Sequence, residues 1–186
     1  MKRKIVTYLL LIIVYLMLAI PFKALTIIPG FTDIRPVTLL GPIYALFFGI
    51  PGCSIFALMN IVMDAFSGGL MWSSIAGFVA NFIGPFLVLL YWTKFSKTPL
   101  HLKDPGNILH FSLTLLIVAI LQAAIITPFV AILYPDVDWK LFFATVVFNT
   151  AVFPILFGIP LIYLMREKLG FKQIGYYDPK DPKEQQ

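Results

Sequence analysis

Six apolar runs, at about residues 4–22, 37–50, 52–67, 70–92, 108–134 and 141–165, take up most of this 186-residue chain. An α-helix needs about 20 apolar residues to cross a bilayer's hydrocarbon core of roughly 30 Å. Inside lipid only a helix or a closed barrel pairs every backbone N–H and C=O, so runs of this length predict helices. Composition points the same way. The chain is 60% hydrophobic and 12% charged, against about 25% charged in an ordinary soluble domain. Too few polar side chains exist to cover a water-facing surface. The expected fold class is an all-α integral membrane protein, a compact bundle of about six transmembrane helices. That bundle is assigned to residues 1–170, with a polar cytoplasmic tail at 171–186. No length remains for a separate soluble domain.

The second and third runs are short for a full crossing, and only Gly49-Ile50-Pro51-Gly52 separates them. A proline flanked by glycines favours a tight helical hairpin over one span of about 30 residues. The first run opens with Lys2-Arg3-Lys4, as a signal peptide does. It is longer than a usual signal core and leads into Pro21-Phe22-Lys23 without a small-x-small site, so it is expected to be retained.

Basic residues set the orientation. With the N-terminus inside, the inner segments hold eleven Lys and Arg, namely Lys2, Arg3, Lys4, Lys94, Lys97, Lys103, Arg166, Lys168, Lys172, Lys180 and Lys183. The outer ones hold three, Lys23, Arg35 and Lys140. The positive-inside rule then places both termini in the cytoplasm. The net charge of +5 therefore belongs to loops, and no basic cluster suited to nucleic acid is present. Cys53, the only cysteine, excludes an intramolecular disulfide or a thiolate metal cluster and reads as packing.

Polar side chains inside the runs are costly and demand an explanation. They are Asn60 and Asp64 in the third run, Asn81 in the fourth, Gln122 in the fifth and Asn149 in the sixth. Asn60 and Asp64 share a helix face at i, i+4. In the expected topology all five lie between the midplane and the outer surface, as a cup opening outward would require. The alternative is that Asn, Gln and Thr side chains simply join helices. The loop from Thr26 to Pro36 is apolar and carries Asp33 and Arg35. It is expected to fold back over the outer face, with Arg35 either clamping an anion, pairing with Asp64, or pairing locally with Asp33. With Trp72 at the outer start of the fourth run, the set suits a small organic molecule with polar and flat parts.

Gly41, Ala45 and Gly49 form a small-xxx-small ladder suited to close helix approach, within the bundle or to a partner protein. No catalytic set, metal-ligand spacing or cofactor motif is present, and His101 and His110 fall on the inner side, away from the cup. An enzyme is therefore not expected, and any ATP hydrolysis would lie on another chain.

The chain resembles the substrate-binding S components of energy-coupling factor (ECF) transporters, prokaryotic vitamin importers. The resemblance is carried by Thr32-Asp33-Ile34-Arg35-Pro36, by Leu46-Phe47-Phe48-Gly49-Ile50-Pro51-Gly52, by the stretch from Asn60 through Asp64 to Gly69, and by that from Ser74 to Phe82. It covers about a third of the chain. It implies a multi-pass cell-membrane receptor that captures a small metabolite from outside. Such receptors associate with a transmembrane T component and two ATPase subunits, and the site lies under the loop between the first two spans. The alanines spaced four apart on the first span, common in the family for T-component docking, are missing, since only Ala19 and Ala24 stand there. The His-rich N-terminus of metal-selective relatives is also missing. Two other readings remain open: a non-transporting six-span scaffold similar to the rod-shape protein MreD, and a self-sufficient secondary carrier.

Overall fold

The computed structural model describes residues 2–29, 31–68, 70–96, 100 and 102–174. Lys97, His101, Lys180 and Lys183 lie outside them. The chain is an all-α membrane bundle. In order come α1 (Lys2–Ala19), a two-stranded antiparallel ribbon of β1 (Thr26–Ile28) and β2 (Thr32–Asp33), α2 (Leu40–Phe66), α3 (Trp72–Leu90), α4 (Pro105–Leu133), α5 (Trp139–Phe153) and α6 (Ile159–Glu167). A π-helical turn, Pro154–Gly158, joins α5 to α6 as one continuous span, and a second, Tyr91–Phe95, extends α3. Asp104 and Asp138 cap α4 and α5 by accepting from backbone N–H groups of the first turn.

Five helices are long and apolar enough to cross a membrane, where about six were expected. The difference lies in the second and third runs, which form one helical stretch, α2, broken only at Gly49. Gly49 has φ 64° and ψ −145°, a conformation that side-chain-bearing residues rarely adopt. The chain doubles back there. Arg35, just before α2, donates from Nη1 to Asn60 Oδ1 at 2.9 Å, and the rings of Tyr44 and Phe56 meet edge-on at 6.4 Å. In a straight helix residues 44 and 56 would stand roughly 18 Å apart. The arms touch so closely that a Cβ on Gly52 would lie 2.1 Å from the Tyr44 carbonyl oxygen. The turn is therefore one glycine, with Pro51 and Gly52 already inside the returning arm. Each arm is shorter than the roughly 20 residues of an independent span.

The hairpin is the centre of the bundle. Tyr44 Oη donates to the Leu11 carbonyl of α1 at 2.6 Å, and Tyr15 packs edge-on against Phe56. Gly84 of α3 lets α4 approach closely, since a Cβ there would fall 2.1 Å from the side chain of Gln122. Leu9, Leu10, Ile13 and Met17 on α1 and Leu113, Ile117 and Ile120 on α4 remain exposed, as a lipid-facing surface requires.

At the turn the helix break leaves the Leu46 carbonyl free, and the Ile174 N–H donates to it at 2.8 Å. Phe171 meets Phe47 edge-on at 6.2 Å, and Gln173 is buried. The packed bundle thus runs on to Ile174, beyond the boundary expected at residue 170. Residues 175–186 of the expected tail lie outside the described residues.

Candidate functional site

At the end of the bundle opposite the Gly49 turn, a cavity of about 230 Å³ lies beneath the β-ribbon. Its walls come from the segment after α1 (Lys23), the ribbon (Thr26, Phe31, Asp33), the segment entering α2 (Arg35), the end of α2 (Asn60, Asp64) and the first half of α3 (Ser73, Asn81). Ile126, Val130 and Phe142 from α4 and α5 close it with an apolar side. A narrower space of about 60 Å³ adjoins it and shares Phe31, Thr32, Arg35, Asn81, Ile126 and Phe142. That inner space is lined further by Thr38, Gln122, Asn149 and Thr150, polar but uncharged.

The ribbon stands where it does because it is anchored from below. The backbone N–H of Arg35 donates to Asn149 Oδ1 at 2.9 Å, and Asn149 Nδ2 donates to the Asp33 carbonyl at 2.8 Å. The single Thr38 hydroxyl proton is shared between the Asn149 carbonyl, 2.5 Å from Oγ1, and the Arg35 carbonyl, 2.8 Å away. The Asp33 carbonyl and the Arg35 N–H are thereby both satisfied by one amide of α5. Above the ribbon, Phe31 meets Tyr134 edge-on at 4.8 Å, tying it to the α4–α5 connection.

Four charges converge. Asp33 pairs with Arg35 Nε and with Lys23 Nζ at 3.4 Å. Asp64 lies 3.9 Å from both Lys23 Nζ and Arg35 Nη2. Burial alone would lower the pKa of the Arg35 guanidinium, but Asp33 first and Asp64 second hold it above its ordinary value. Arg35 is thus a permanent cation linking Asp33 of the ribbon to Asn60 and Asp64 of α2. The local Asp33 pair, the approach to Asp64 and a place on the cavity wall all occur together in it.

Of the eight residues expected to contact a ligand, Asp33, Arg35, Asn60, Asp64 and Asn81 line the main cavity. Gln122 and Asn149 line the inner space, with part of their hydrogen-bonding capacity spent on the protein, since Gln122 Nε2 donates to the Ala80 carbonyl at 2.9 Å. Trp72 lines neither and is 75% exposed at the start of α3. On α3 it lies about 100° or more around the helix from the cavity-lining Ser73, Ser74, Gly77 and Asn81, which turns it to the outside of the bundle. Gly41, Ala45 and Gly49 are all buried, Gly41 against Pro85 and Phe56 and Ala45 beside Cys53 and Leu89. The ladder is used inside the bundle and offers no surface stripe to a partner.

Lys23, Phe31, Thr32, Ser73 and Phe142 were not singled out as site residues. Lys23 had a signal in the sequence, being the only basic residue directly after the first apolar run. Phe142 had none, because an aromatic residue in an apolar span is indistinguishable from packing. Among the described residues no group of three or more His, Cys, Asp or Glu is placed to hold a metal. His110 is far from the cavity, bonded through Nε2 to Tyr91 Oη at 2.6 Å. No protein-family model, curated protein or solved structure matches the chain.

Proposed function

We propose that this chain is a membrane-embedded capture subunit for uptake of a small organic micronutrient, energised by ATPases on partner chains, in the manner of an ECF S component. The observation that carries the reading is the roofed cavity at one end of the bundle, with Asp64 on its wall. A carboxylate so placed in a membrane protein needs water, a partner or a ligand. A scaffold gains nothing from such a cavity, because helix packing is improved by filling it.

The orientation follows from charge. Lys23, Arg35 and Lys140 stand at the cavity end, whereas Lys4, Lys94, Lys103, Arg166, Lys168 and Lys172 stand at the other. By the positive-inside rule the cavity opens to the outside and the Gly49 turn faces the cytoplasm, where an ATPase module would act.

Native mass spectrometry of the protein, purified in mild detergent from cells grown in rich medium, tests the proposal. One small organic molecule per chain is expected on the wild type and a strongly reduced share on Arg35→Ala, Asp64→Ala and Asn81→Ala. Equal retention by all three folded variants would reject this cavity as the site.

A further inference from the structure

We infer that the ligand of this cavity carries no net charge and presents a hydrogen-bond donor beside an acceptor, the donor directed to the Asp64 carboxylate. The inference rests on the capture reading and narrows it to a class of substrate.

The charges of the wall cancel. Lys23 and Arg35 stand against Asp33 and Asp64, so the site is neutral before anything binds. The two carboxylates are not equivalent. Asp33 has a side chain only 8% exposed and is held directly by Arg35 and Lys23. Asp64 has both cations at 3.9 Å, beyond hydrogen-bonding distance, and among the described residues no side chain or N–H donates to its carboxylate. It lines the cavity as an acceptor.

The neighbouring amides are half committed in opposite senses. Asn60 Oδ1 already accepts from Arg35, which leaves its N–H groups to donate. Asn81 Nδ2 donates to the Gly77 carbonyl at 2.8 Å, which leaves its Oδ1 to accept. The wall therefore offers both acceptors, Asp64 and Asn81, and donors, Asn60 and Arg35 Nη2. A cationic ligand would satisfy Asp64 but face Lys23 and Arg35. An anionic ligand would satisfy those cations but crowd both carboxylates. A lone charge left over in such surroundings is expensive, whereas an amide or lactam edge, or an amino-carboxylate zwitterion, meets the wall without one.

The test uses ring compounds of similar size that differ in charge: benzamide (neutral), phenylalanine (zwitterionic), benzoate (anionic) and benzamidine (cationic). Each is titrated against the purified full chain in mild detergent and binding is read as a rise in melting temperature. Benzamide or phenylalanine is expected to act at concentrations about tenfold below the other two, the better of the pair separating an amide edge from a zwitterion. Asp64→Asn leaves one positive charge in excess and should move the preference to benzoate. Lys23→Met leaves one negative charge in excess and should move it to benzamidine. A wild-type preference for benzoate or benzamidine overturns the inference while leaving capture standing. If no probe binds, the compound retained from rich medium decides. A neutral or zwitterionic molecule sustains the inference and a net-charged one overturns it. No probe bound and no compound retained rejects the capture reading together with it.

Discussion

The two ends of the bundle hold similar materials and use them in opposite ways. At the end carrying the β-ribbon, Lys23, Asp33, Arg35 and Asp64 turn toward one another around open space. At the other end, Tyr91, Trp92, His110 and Phe111 fill the interior with ring contacts, and Phe171 to Ile174 cover the Gly49 turn. The charges there are paired among themselves or with backbone: Lys103, with its side chain 66% exposed, pairs with Glu167 at 2.8 Å, and Arg166, 11% exposed, lies 3.7 Å from Glu167 and donates to the Leu100 carbonyl. One end is sealed by side chains and by the chain's own continuation. The other is left unfilled although four charges line it. Interiors fill voids where packing alone decides, so an unfilled polar space is the end at which to look for a ligand.

The sharpest way to break the comparison is to pull apart the hairpin that connects the two ends. Gly52→Ala places a methyl group within 2.1 Å of a backbone oxygen that cannot rotate away. The arms must separate, with an expected loss of about 3 kcal/mol. Thermal melting in mild detergent should fall steeply, and a variant melting like the wild type would mean the arms are not so closely packed.

Arg35→Ala strikes the open end alone. Among the described residues it leaves Asp33 with Lys23 as its only cationic partner and Asp64 with a single cation at 3.9 Å. Severing a buried pair costs about 3 kcal/mol, reduced here because the Arg35 side chain is 25% exposed, so about 2 kcal/mol is expected. Ligand retention should fall with it. Rescue of stability without rescue of retention is expected in Arg35→Lys, which restores the charge but not the fork that reaches Asn60 and Asp33 together.

Tyr91→Phe sharpens the contrast at the sealed end. It removes the hydroxyl bonded to His110 and should cost about 1 kcal/mol in melting experiments. Ligand retention should stay at the wild-type level, because nothing at that end touches the cavity. A loss of retention would show that the two ends are coupled.

Much of the architecture was legible in the sequence. The four longer apolar runs match their helices to within a few residues, and the loop from Thr26 to Pro36 does lie over the cluster that holds Asn60, Asp64 and Asn81. The count of crossings was not legible, because hydropathy cannot distinguish two spans from two short arms of one hairpin. Trp72 was misjudged because its depth was clear and its direction was not. Gly41, Ala45 and Gly49 were recognisable as small, but only the packed arms reveal that Phe56, Leu89 and Pro85 already occupy the space they leave.

By itself the sequence determined the solvent, the helical segments, and which residues are too costly in lipid to be idle. Transfer to a bilayer is nearly additive along the chain, so it is readable residue by residue. Only the tertiary structure decided which polar groups are spent and which are free. Asn149 is consumed in holding the ribbon, Asp33 is consumed by Lys23 and Arg35, and Asp64 is left facing the cavity. A hydrogen bond depends on a few tenths of an ångström and on direction, between residues up to 116 positions apart in the chain. That geometry exists only once the helices are packed.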